Sequence, residues 1–228
     1  MTRSRAPRAA ALTVVAALAL SACSTHPGSA AVVGPVSISQ KQLDDTALAL
    51  CSAQSGSVQA GQGQDLAARP ARQGALGVLL NSSLSKQYGE SRGVQADQAR
   101  ISAAVAANQS TINSLPASRR AAFRQTLRDF AEGQLMMVAV GREELTKKGA
   151  KNPTDQQALA AATPLRDAWV KKNLTVSVDP RYGRFSNGAL TPQSGSLSVP
   201  VSARAATGAK QTPGNSWVAS LPTSQKCS

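Results

Sequence analysis

From Ala30 the chain carries a β-branched run, AAVVGPVSI (30–38), broken by Gly34-Pro35. This pattern predicts a short strand with a tight turn or bulge. Ser39 and Gln42 then stand three apart, ahead of apolar residues Leu43, Ala47, Leu50 and Cys51. That is the spacing of a capped helix with one buried face. Ala53 to Ala68, rich in Gly, Gln and Ser, predicts a flexible loop. Leu76, Leu79, Leu80, Leu84 and Tyr88 mark a second helix from Pro70, with Gly89 as its C-cap. Asp97 to Asn108 predicts a third, with Ile101, Ala104 and Val105 inward.

The longest element opens at Ser114 to Pro116, with Pro116 in its first turn, and runs to Lys148. Its stripe of Phe123, Leu127, Phe130, Met137 and Val138 is widened by Leu135, Met136 and Val140. A helix this apolar belongs at the centre of its domain. Gly133 and Gly141 within it predict close helix crossings. Asn152-Pro153-Thr154-Asp155 restarts a helix with Asn152 as cap, and Thr163-Pro164 repeats the signal. Two short helices or one kinked helix should follow, with Leu165, Ala168 and Trp169 inward. Leu174 to Val178, LTVSV, alternates as a strand. Beyond Ser186 the chain turns to Ser, Thr, Pro and Gly, with Trp217 as the exception, and reads as a largely disordered tail.

Composition narrows the class. Apolar residues make 42% of the chain but aromatics only 3%. The core must therefore be Leu, Val and Ala, which favours close-packed helices over a sandwich. The predicted fold class is mainly α. A single histidine, His26, and three cysteines argue against histidine-dependent hydrolases, His-rich metal sites and Cys-rich zinc modules. No P-loop is present. Asp44 and Asp45 read as helix-start charges, and Glu143-Glu144 with Lys147-Lys148 as a solvated helix face. No enzymatic motif, metal, cofactor or small-molecule substrate is indicated.

The first residues read as an address. Arg3, Arg5 and Arg8 precede an apolar run from Ala9 to Leu20. That run is shorter than the roughly 20 residues a membrane span needs, and it fits a secretory h-region. Leu20-Ser21-Ala22-Cys23 follows and resembles the bacterial lipobox. The resemblance implies cleavage after residue 22, lipidation of Cys23, and an anchored chain on the outer face of the cell membrane. Residues 23–29 would be the tether. Without Arg3, Arg5 and Arg8 the formal charge of +13 falls to +10, which suits an anionic membrane or wall polymer. Nucleic acid is the wrong partner outside the cell. Exported compartments tolerate disulfides, so Cys51 and Cys227 can pair and pin the tail to the first helix. A free, buried Cys51 is the alternative.

The order of elements resembles the SurA-type N-terminal domain of exported chaperones and PrsA-type foldases. The resemblance rests on AAVVGPVSISQKQLDD (30–45), on the Tyr88–Ile101 connector, and on VSVDPRYGRF (176–185). It covers 30–186, leaving 187–228 as tail. It looks most like actinobacterial lipoproteins that carry this domain alone. It implies a helical body closed by a two-stranded pairing of 30–38 with 174–178. It also implies a groove that binds unfolded or exported polypeptides without ATP. Phe123, Leu127, Phe130, Met136 and Met137 are candidate groove residues. Pro180-Arg181-Tyr182-Gly183 matches the family's closing motif and reads from its chemistry as a structural corner. Gly34-Pro35 departs from the family's Asn-Gly. The prolyl-isomerase module has no room between Gly149 and Leu174. The competing expectation is an envelope adaptor that binds one protein partner or an anionic wall polymer.

Overall fold

A computed structural model describes residues 28–59, 66–191, 199–210 and 213–227, with backbone only at 56–59. The expected signal peptide, Cys23 and His26 lie outside the described residues. The fold is mainly α.

Strands β1 (Ser29–Val33) and β2 (Val36–Ser39) form an antiparallel hairpin. Gly34 takes a φ of +54° at its turn, which a glycine adopts without strain. Strand β3 (Val176–Val178) pairs with the other edge of β1, with Ala31 opposite Val178 and Val33 opposite Val176. The expected pairing of the two ends is therefore present. The turn at Gly34-Pro35 adds a third strand, giving the order β2-β1-β3.

Helix α1 (Gln40–Gln59) follows β2 directly. The Ser39 hydroxyl accepts the Gln42 N–H at 3.0 Å, as the capping pattern required. The helix does not stop at Ala53 but continues through part of the predicted loop. Helix α2 (Ala68–Ser91) ends beyond its expected cap. Gly93, at φ +68°, takes the left-handed position, while the Gly93 and Val94 N–H groups donate to Glu90 and Gly89 carbonyls. Gly89 instead sits inside the helix, where a Cβ would come 2.6 Å from that of Met136.

Asp97 caps α3 (Gln98–Ala107) by accepting the Ala99 and Arg100 N–H groups. The short α4 (Gln109–Ser114) leads to the long α5 (Ala117–Lys147). Pro116 occupies the N-cap of α5 rather than its first turn. Helix α6 (Asp155–Asn173) is one continuous helix with Pro164 inside it. Its cap is Thr154, in a reciprocal capping box with Gln157, because Asn152 lies outside the helix at φ +52°.

The α5 helix packs most extensively on α2 and α6. Both predicted crossings are there. A Cβ at Gly133 would meet the Ser82 carbonyl at 3.2 Å, and one at Gly141 would overlap the Ala158 carbonyl. This contact sets the rotation of α6. Its inner face is Ala158, Ala162, Arg166 and Val170, while Leu165 and Ala168 face out and Trp169 is half-buried. Leu43, Leu76, Leu80 and Leu84 fill the centre beneath the sheet.

A second hairpin, β4 (Arg184–Ser186) and β5 (Ala189–Thr191), lays Phe185 and Leu190 on that core. The tail then forms α7 (Ala203–Ala209), α8 (Asn215–Ala219) and a 3-10 turn at Thr223–Gln225. Residues 213–227 correct the expectation of a largely disordered tail. Val218 and Leu221 are buried against Ala67, and Cys227 is buried against Cys51 and Ala71. Too few apolar residues for a core of their own suffice when a neighbouring body supplies the other half.

Candidate functional site

A cleft of about 720 Å³ lies between α1, α2, α4 and the start of α5. Leu50, Ala71, Ala75, Val78 and Phe123 line it, and Ser110, Thr111 and Ser114 form a polar edge. Its room comes from α2, which presents Ala71, Gly74 and Ala75 on this side. A Cβ built at Gly74 would meet nothing within 4 Å. Among the described lining residues none ionises, since both cysteines are bonded. The chemistry on offer is apolar burial with a few hydroxyl contacts.

One end of the cleft is closed by a disulfide between Cys51 and Cys227, with Cα atoms 4.8 Å apart. That spacing falls within the range a disulfide spans. The bond joins α1 to the last residues of the chain. Cys227 N–H donates to the Leu66 carbonyl at 2.7 Å, and Lys226 forms a bridge with Ala67. The Ser55 hydroxyl lies 3.0 Å and 2.9 Å from the Cys51 and Cys227 carbonyls. These bonds continue α1 through the region predicted as loop.

The expected groove residues do not share one surface. Phe123 is buried and forms part of the cleft wall. Leu127 is partly buried behind it, in the cluster of Val105, Ile112 and Leu115. Phe130 is exposed elsewhere. Met136 is core, packed on Gly89, and Met137 is core with Tyr88, Val140 and Ala162. The thioethers therefore fill helix crossings and do not reach a groove. Leu50, Ala71 and Val78 were missed as site residues. Their spacing alone reads as ordinary helix interior.

The Pro180–Gly183 segment forms a corner. The Tyr182 hydroxyl donates to Gln40 Oε1 at 2.5 Å, and Gln73 Nε2 donates to the Tyr182 carbonyl at 3.2 Å. Arg181 bonds the Asp179 carboxylate through Nε and Nη2, at 3.0 and 2.6 Å to one oxygen. The Arg181 guanidinium holds the Asp179 carboxyl below its ordinary range, against the opposing effect of burial. Burial pushes the Tyr182 hydroxyl up. The corner ties β3 to the starts of α1 and α2.

Sequence reading also missed Arg166. It is buried on α6 and bonds Asp167 at 2.8 Å, Ser85 at 3.2 Å and the Asn81 side chain. Its place four residues after Ala162 was the one available signal. Among the described residues there is no cluster suited to a metal ion, and no helix is long and apolar enough to cross a membrane. The chain matches no protein-family model, no curated protein and no solved structure.

Proposed function

We propose that this chain is a membrane-anchored, extracytoplasmic, chaperone-like lipoprotein. It binds unfolded or exported polypeptides in the cleft between α1, α2, α4 and α5, without ATP and without prolyl-isomerase chemistry. The observation that carries the reading is the cleft itself: open, mostly apolar, and lined, among the described residues, by no ionisable group. A surface of small and aliphatic side chains accepts apolar segments with little sequence preference. Release without an energy source requires weak binding, on the order of micromolar, or about 8 kcal/mol. The SurA-like order of elements, and the lipobox-like residues before Cys23, support the same reading.

The test uses the chain from Ser24 onward, which keeps every described residue. It is titrated into a reduced, aggregation-prone protein during refolding, and light scattering is followed at low and high salt. Suppression near stoichiometry that persists in salt is the expected result. Gly74→Trp fills the cleft from an open position and should remove suppression while leaving the melting transition in place. Full suppression by that variant would move the client site elsewhere. No suppression by the parent chain in large excess would sink the chaperone reading and favour an adaptor for one envelope partner.

A further inference from the structure

From Pro180 to Ser228 the chain has no acidic residue, yet it has Arg181, Arg184, Arg204, Lys210 and Lys226. Where the tail lies against the start of α2, it leaves a cavity of about 580 Å³. The start of α2, the Pro180–Gly183 corner and the tail enclose it, and it shares only Pro70 with the cleft described above. Its lining holds three guanidinium groups, Arg69, Arg72 and Arg181, and no carboxylate among the described residues. Each guanidinium is held in place. Arg69 Nη2 donates to the Gly208 and Lys210 carbonyls at 2.8 and 3.0 Å. Arg72 Nε donates to Asp44 at 3.0 Å. Arg181 binds Asp179 through Nε and Nη2, and its Cζ lies 5.6 Å from the centre of the Tyr182 ring. In all three, Nη1 makes no hydrogen bond among the described residues.

The charges do not cancel. Asp44 answers Arg72 and Asp179 answers Arg181, while the acceptors of Arg69 are neutral carbonyls. One positive charge is therefore left over at the cavity wall, which calls for a monoanion rather than a polyanion. Guanidinium forks with donors to spare match the two oxygens of a carboxylate. Most of the remaining wall is apolar. The Trp217 ring packs on Gly208, where a Cβ would come 2.5 Å from it, and its indole N–H donates to the Arg204 carbonyl at 3.1 Å. The ring thus offers the cavity only its apolar surface, beside Leu221 and Pro213, with Ser224 and Gln225 as a polar edge. The volume lies within the range of small-molecule sites.

We propose that this cavity binds a carboxylate carried on an apolar body, with Arg69 as its counter-ion and Arg72 and Arg181 as flanking donors. The site stands apart from the chaperone reading and does not depend on it. A free organic acid and the C-terminus of a polypeptide present the same chemistry. The test uses the chain from Ser24 onward in equilibrium dialysis against naphthoate, its neutral amide naphthamide, and N-acetyl-leucyl-phenylalanine with a free or amidated C-terminus. Saturable binding of an acid, at least about tenfold tighter than its amide, is expected. Naphthoate bound without the peptide acid assigns the site to free acids, and tighter binding of the peptide acid assigns it to chain ends. Arg69→Gln should weaken the bound acid about tenfold. Ser224→Trp fills the cavity without touching a guanidinium and should remove binding, so the result does not hang on how well Arg69→Gln holds the tail. Lys148→Gln removes the same charge outside the cavity and should leave binding intact, as should Gly74→Trp, which fills the cleft instead. Acid and amide bound equally, or neither acid bound, would overturn the proposal. So would full binding by both Arg69→Gln and Ser224→Trp. An equal loss in Lys148→Gln would replace it with diffuse attraction, and a loss in Gly74→Trp would move the probe to the cleft.

Discussion

At the α5–α6 crossing Gly141 lies against the Ala158 carbonyl, and Met137, Val140 and Ala162 close the space around it. At the far side of α2, Val218 and Leu221 rest on Ala67, and one covalent bond at Cys227 secures them. Many small contacts fix the first region, so it tolerates no added volume. The second has few contacts, so its order depends on a link that holds the partners together. The cleft lies where these two modes meet, with packed helices for its walls and the disulfide at one end.

Cutting that link should produce the largest effect. Reduction, or Cys227→Ser, should lower global stability by about 4 kcal/mol, because the bond closes a long loop in the unfolded chain. Urea unfolding measures this. A trypsin time course should also show cleavage after Arg204 and Lys210 in the reduced protein and protection in the oxidised one. A tail equally protected in both states would break the comparison. Next, Gly141→Ala should cost about 3 kcal/mol, since the added methyl meets backbone that cannot yield. A loss under about 1 kcal/mol would mean that the crossing relaxes easily. Gly74→Ala sharpens the contrast from the other side. Its methyl enters open space, so the gain in helix propensity should stabilise the fold by about 0.5–1 kcal/mol.

The smallest effect concerns pH at the closing corner. The Asp179 carboxyl titrates below its ordinary value of 3.8 in the folded protein, chiefly through Arg181. Its contribution is therefore complete above pH 3.8 and is lost as pH falls through the lower folded value. Asp179→Asn should flatten this part of the acid limb in a pH series of thermal melts. An unchanged limb would show that the Arg181 contact adds nothing to stability.

Much of the helical body was legible. The 3.6-residue apolar spacing located α2, α3 and α5, and Gly133 and Gly141 marked the crossings they make. Errors arose where a local signal had a stronger neighbour. Asn152 resembled a cap, but the Thr154–Gln157 pair satisfies two backbone groups at once. Gly89 resembled a helix end, but its missing side chain serves contact with Met136. The α6 face was misjudged because hydrophobicity pointed to Leu165, whereas close approach to α5 required Ala158 and Ala162. The cleft was less visible still. Empty space follows from the absence of side chains at Gly74 and Ala75, and periodicity registers only those that are present.

The sheet has a consequence for the order of events during folding. The β1–β2 hairpin needs only a few residues of chain and can close in microseconds. The other edge of β1 waits for β3, which the chain reaches only after α1 to α6. Until then its unpaired N–H and C=O groups form a template for any passing extended segment. The pairing of β3 is thus also the step that removes a route to aggregation, and a chain halted before Val176 keeps that route open.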